Sequence, residues 1–197
     1  MLSLPPRFDL FTLRFPKNFI PKEIQQKYDK ILNKYNSPIR SSIDFLNEGI
    51  VSVAFPGINE SIITQQQTGY NNDINRHEPS SEVVYRSTSN PLELINRTLS
   101  VTFLHKQGFV NYFMLYEIWF HYFCKSTKSK ESCLDMLYIE ILDSSGKVIA
   151  QLEMYDIFFS SMDGLEFDFS KISLSDDTFT ANFNFNNLNF DFSNINS

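Results

Sequence analysis

At 197 residues, 42% of them apolar, with a formal charge of −6, the chain is long enough to bury a core. It is too acidic, with no basic stripe, to grip nucleic-acid phosphates. Two cysteines, Cys124 and Cys133, without a recognisable leader argue for free thiols in a reducing compartment rather than a secreted disulfide framework.

Residues 1–7 include Pro5 and Pro6, show little periodicity and read as an N-terminal arm. Phe8 to Phe15 alternates loosely and suits a first strand. Pro16 and Pro21 frame a turn, after which Ile24, Tyr28, Ile31, Leu32 and Tyr35 fall at helical spacing. This predicts an amphipathic helix over 22–35, opened by Pro21 and closed at Asn36-Ser37-Pro38. Ile43 to Phe55 reads as a strand ending at Pro56-Gly57. Residues 59–90 turn polar, with Gln65-Gln66-Gln67, Asn71-Asn72 and Pro79-Ser80-Ser81, and form a long loop in which Val83 to Tyr85 can pair as an edge strand. A loop of that length calls for a function, disorder or ordering by a neighbour.

Leu99 to Phe103 alternates as a strand. The run from Phe109 to Phe123 is apolar on most sides, which predicts a helix buried on more than one face, trapped between its own sheet and a neighbour. It is too short to span a bilayer comfortably and contains Asn111, Glu117 and His121. Lys125 to Lys130 reads as a solvated turn. Strands over 138–142 and 147–158 flank the hairpin turn Asp143-Ser-Ser-Gly146. In the last strand, Phe179, Ala181, Phe183 and Phe185 alternate with polar residues. After Asn186-Asn187 the phase slips by one, and Leu188, Phe190 and Phe192 resume it. Such a slip flips the buried face unless a bulge or bend absorbs it.

No catalytic constellation emerges. His77, His105 and His121 lie in a loop, at a strand end and in the aromatic helix. His121, Cys124 and Cys133 match no familiar metal spacing and lack a fourth ligand. Asp135, Glu140, Asp143 and Glu153 are scattered acids of a hairpin, solvated or lumenal. Phosphate-binding Gly loops, Gly-x-Ser-x-Gly and dinucleotide fingerprints do not occur. The residues imply neither an enzyme nor a cofactor. The composition, with 20 Phe and 9 Tyr against 6 Gly, suits a well-filled sandwich and surface that is buried only on assembly.

The order of elements resembles the tail tube proteins of contractile-tailed bacteriophages and related injection machines. The carrying features are the strand Phe8-Asp-Leu-Phe-Thr-Leu13, the strand Val51-Ser-Val-Ala-Phe-Pro-Gly57, and the polar excursion with Arg86-Ser-Thr-Ser89. They continue with Leu99-Ser-Val-Thr-Phe103 leading into an aromatic helix, then Ile149 to Phe159, Leu165 to Lys171 and Phe179 to Phe185. The helix at 22–35, inserted after the first strand, and the Asn-rich end after Asn186 depart from simpler members. The resemblance implies a mainly β, α+β fold: an antiparallel β-sandwich or partial barrel with one packed aromatic helix and one inserted N-terminal helix. It covers 8–192 as a single domain, with the loop at 59–90 and a tail at 193–197.

The resemblance further implies a structural virion protein, assembled in the host cytoplasm into the tail as hexameric rings. The rings stack around a channel through which DNA passes without specific binding. The partners are the chain itself and sheath, baseplate or neck proteins, with no membrane. On that basis Phe179, Phe183, Phe185 and Phe190 mark inner-barrel strands. Gln65, Tyr70, Arg76, Tyr85 and Arg86 mark contacts between subunits or rings. A tube initiator, terminator or tail-hub ring is an alternative position, and an aromatic-rich ligand-binding sandwich is a more distant alternative.

Overall fold

The structure, a computed structural model, describes residues 9–55, 57, 63–66, 83–86, 97–125, 134–165 and 177–192 (backbone only at 63–66, 83–86, 107, 124 and 125). Two compact units divide the chain: Pro56–Asn96 form one, and the segments before and after form the other.

The larger unit is a mainly antiparallel β structure with three helices. Its strands are β1 (Phe11–Leu13), β2 (Ile50–Ala54), β5 (Thr98–Leu104), β6 (Leu134–Leu142), β7 (Val148–Met162), β8 (Thr178–Asn184) and β9 (Asn187–Asp191). They pair in the order β1-β6-β7-β8-β5-β2, and β9 pairs with β7. The smaller unit holds β3 (Ile63–Gln66) and β4 (Val83–Arg86), antiparallel, with Thr64 opposite Tyr85 and Gln65 opposite Val84. A two-stranded ladder thus stands in the segment that reads as a long polar loop.

β7 belongs to two sheets. Its first half pairs with β6 and β9, and its second half pairs with β8. Buried residues along it run Ala150, Met154 and then Ile157, Phe159, so its inward phase slips by one. Asp156 takes up the slip with a left-handed φ of 53°. The opposite chain slips at the same level, from Phe185 to Leu188, around the bend at Asn186. Pairing stays in step across the bend: Phe158 faces Asn184, and Tyr155 faces Asn187. The slip after Asn186 is therefore half of a matched pair, and the paired bend keeps both apolar faces on the core.

The helix α1 (Lys22–Lys34) buries Ile24, Tyr28 and Leu32, as its spacing predicts. The aromatic run forms α3 (Val110–Phe120), continued by a π-type turn at His121–Lys125. The segment from Ile43 departs from expectation: Ser42–Glu48 is the helix α2, and only Ile50–Ala54 is strand. Ile43 and Leu46, one turn apart, are both buried. Asp29 Oδ1 accepts the Ser42 N–H at 2.8 Å, satisfying a first-turn donor. The Asn47 amide accepts from Phe15 N at 2.7 Å and donates to Phe15 O at 3.2 Å, which pins the last turn. These long-range anchors outweigh the local strand alternation of Ile43 and Phe45. At the junction with β2, a Cβ on Gly49 would stand 3.2 Å from Leu46 O and 3.4 Å from the Asn111 amide, so a close passage sets the residue there.

The core is aromatic. Phe15 stacks on Phe19 (centroids 4.6 Å apart) and tilts against Phe183 (5.3 Å). Phe159 stacks on Phe183 (4.9 Å), and Phe103 on Phe179 (5.4 Å). Each ring stabilises by about 1.5–3 kcal/mol through burial and about 0.5–1.5 kcal/mol more through ring geometry. No helix among the described residues is long and apolar enough to cross a membrane.

Candidate assembly surfaces

Four strands, β7 (from Phe158 onward), β8, β5 and β2, form a sheet whose two faces differ in kind. Leu99, Val101, Phe103, Phe159, Phe179, Ala181 and Phe183 point into the core. The opposite face carries Ser52, Thr98, Ser100, Thr102, Thr180, Asn182 and Asn184, joined across strands. Ser100 Oγ donates to Asn182 Oδ1 at 2.6 Å, Thr98 Oγ1 to Asn184 Oδ1 at 3.0 Å, and Asn182 Nδ2 to Ser161 Oγ at 3.0 Å. These strand segments contain no Asp, Glu, Lys or Arg. Period two, with small hydroxyl and amide residues at alternate positions, produces this neutral face.

The acids lie on the other sheet. Glu140, Gln151 and Asp191 form one cross-strand row, and Tyr138, Glu153 and Asn189 the next. Glu153 Oε2 accepts from Tyr155 Oη at 2.7 Å and from Asn189 Nδ2 at 2.9 Å. The hydrogen bond to Glu153 raises the Tyr155 hydroxyl pKa.

Among the described residues the neutral sheet has no further strand on either flank: β2 pairs only with β5, and residues 158–162 of β7 pair only with β8. An edge strand presents a row of unpaired N–H and C=O groups, a template for another chain.

α3 lies along the β7 flank, where Tyr112 Oη donates to Asp163 O at 3.0 Å. A cleft of about 400 Å³ separates Tyr112, Tyr116 and Trp119 from Ser160–Gly164. The buried Asn111 fixes the helix start: it accepts from Lys106 N at 3.1 Å and donates to Leu104 O at 2.7 Å. His105 sits among Phe109, Tyr112 and Phe179 (centroids 5.0, 5.9 and 4.8 Å), and its Nδ1 is buried without a hydrogen-bond partner. Burial lowers the His105 pKa, with Asp177 opposing. The outward side of α3 exposes Phe113, Tyr116 and Phe120, and the π-type turn that continues it exposes Phe123, each about one turn apart. Glu117, on the same helix, pairs with Lys27 of α1. Burial, with Glu117 adding, raises the pKa of Tyr28 on the adjoining turn.

Phe179, Phe183 and Phe185, on the strand assigned to an inner barrel, are buried in the chain's own core, whereas Phe190 is half exposed against Phe55 at 6.2 Å. Gln65, Tyr85 and Arg86 lie in the β3–β4 ladder; Tyr70 and Arg76 lie outside the described residues. The sequence predicts a second contact face on the aromatic helix, but the residues of that outer stripe and the Val51–Phe55 edge emerge only from the structure. The signal for the stripe was present, since α3 is apolar all round. Among the described residues no three His, Cys, Asp or Glu side chains are placed to hold a metal. The Cys124 side chain and Cys133 lie outside that set.

No family profile matches the chain, and no curated protein sequence matches it. Two solved structures share its architecture. One is the tube-terminating cap of the anti-feeding prophage, at 8% identity, covering 98% of this chain and 95% of that one with a TM-score of 0.52. The other is the sheath/tube terminator of PVC, an extracellular contractile injection system, at 10% identity, covering 97% and 99% with a TM-score of 0.51. The fold is of the tail-tube type.

Proposed function

We propose that this chain is a structural subunit, not an enzyme, that closes with copies of itself into a hexameric ring of a tail-like tube. The observation that supports the reading is the four-stranded sheet whose two outer strand segments, β2 and residues 158–162 of β7, have no further partner among the described residues. Adding the β2 edge of one copy to the β7 edge of the next continues the sheet from subunit to subunit, and closure into a barrel removes every edge. The inner strands are then β8 and the second half of β7, joined by β5 and β2. Phe179, Phe183 and Phe185 back that wall from the core side, and the Ser/Thr/Asn face lines the channel. A neutral wall offers no cation to phosphates, so DNA passes without counterion-release binding.

The likeness to two terminators favours a position at the end of a tube over the repeated subunit of its shaft. In that position the ring meets sheath or neck proteins within the particle, after assembly in the host cytoplasm. Gln65, Tyr70, Arg76, Tyr85 and Arg86 of the Pro56–Asn96 unit supply contacts to neighbouring subunits or rings.

Negative-stain electron microscopy across a concentration series tests the reading. Six-fold rings are expected. Single rings or short stacks favour the terminator, and long hollow tubes favour the shaft subunit. Deleting 65–89 is expected to spare the monomer and abolish stacking. Monomers at every concentration, together with a saturable small ligand, would favour the ligand-binding sandwich instead.

A further inference from the structure

Eight of the eleven large apolar side chains exposed among the described residues fall into two patches. One is the α3 stripe of Phe113, Tyr116, Phe120 and Phe123. The other runs along β2 and β9 and comprises Val51, Phe55, Phe190 and Phe192; Phe55 at the end of β2 touches Phe190 of β9, and Val51 stands at the start of β2. The patches occupy opposite flanks of one sheet. In the order β7-β8-β5-β2, α3 lies along the β7 side through the Tyr112–Asp163 bond and the cleft at Ser160–Gly164, and Val51 and Phe55 lie on the β2 side. Each patch therefore stands beside a strand edge that has no partner among the described residues.

Charge divides along the same line. α1, tied to α3 by the Lys27–Glu117 pair, also exposes Lys22, Lys30 and Lys34 against one exposed acid, Glu23. At the end of β9, Asp191 stands between Phe190 and Phe192, while Glu153 and Glu140 lie one and two strands further in, Glu153 on the face opposite Phe190.

The geometry points to a head-to-tail contact in which the α3 stripe of one copy seats on the Val51–Phe55–Phe190–Phe192 patch of the next. This contact rests on the ring reading above and names its outer interface. A two-fold dimer would use one patch twice. Two different patches on opposite flanks make a heterologous contact, which generates a ring when the rotation closes. Large half-exposed rings at the centre, with the α1 lysines of one copy and Asp191 of the next at the rim, match the make-up of stable interfaces. The eight side chains supply on the order of several hundred Å² towards a standard interface of about 1,600 Å².

The test uses the full chain with benzoylphenylalanine in place of Tyr116, irradiated under conditions where electron microscopy shows rings, and mapped by mass spectrometry. Crosslinks to a second copy within 51–55 or 187–192 are expected. The double variant Phe113→Ser/Phe120→Ser is expected to keep the wild-type melting temperature while raising the concentration needed for rings at least tenfold. Raising salt from about 0.1 M to about 1 M, which shortens the screening length from ~10 Å to ~3 Å, is expected to weaken rings in the wild type. Rings that persist in the double variant, or crosslinks mapping elsewhere, overturn this contact and leave the ring reading standing. If wild-type protein yields neither rings nor any crosslink between copies, both are overturned.

Discussion

β8 and α3 are both rich in aromatic residues, yet they place them in opposite ways. In β8, Phe179, Ala181 and Phe183 fall at every second position and are buried, and the alternate Thr180, Asn182 and Asn184 face outward. In α3 the aromatic and apolar residues surround the axis, so Tyr112, Met114, Leu115 and Ile118 go inward and Phe113, Tyr116 and Phe120 remain outside. A strand with a polar alternate face completes its burial within its own chain. A helix apolar all round cannot, because one sheet covers only one side of a cylinder. The same side chain therefore supports folding in one element and is left exposed in the other.

Substitutions separate these roles. Phe183→Ala removes a ring that touches Phe15, Phe19 and Phe159, and its predicted cost is about 3–5 kcal/mol, read by denaturant unfolding. A loss below about 1 kcal/mol would break the contrast. Asn111→Ala strips two hydrogen bonds from the turn that launches α3. The predicted cost is about 1–3 kcal/mol, and hydrogen exchange at Lys106 should quicken.

His105, lodged between the two elements, reports on their contact through pH. Its folded pKa is lowered by burial, so the unfolded chain binds the proton more readily, and stability rises with pH. The contribution is intact above the unfolded value of about 6.5 and fades as pH falls below it towards the depressed folded value. Acid unfolding should begin later in His105→Phe, and an unchanged pH profile would show that the imidazole is not held neutral by the core. The smallest effect is predicted for Phe113→Ser, within about 0.5 kcal/mol for the monomer, measured under conditions where no ring forms.

Much of this arrangement was legible from spacing. The period of two in β8, the helical spacing of α1, the hairpin at Asp143 and the phase slip after Asn186 are local signals, and the structure carries each of them. The hairpin is held as its composition suggests: Asp143 Oδ1 accepts from Ser145 N, Ser145 Oγ and Lys147 N, and Gly146 takes a φ of 82°. What escaped is non-local. α2 depends on Asp29 and Phe15, far away in sequence, and the answering slip in β7 is hidden because Asp156 sits between apolar residues that look continuous. The assembly surfaces were legible only in part, since an unfilled helix face shows in the residues, whereas an open strand edge exists only once the pairing order is known.

The matched bend at Asp156 and Asn186 has a genetic consequence. Losing one residue between Met154 and Ile157 would rotate half of β7 out of the core. A second loss between Phe185 and Leu188 would bring the two halves back into step. Single insertions or deletions at either place should therefore be lethal to folding, while the pair of them is tolerated, so that two points 30 residues apart behave as one locus for changes of length.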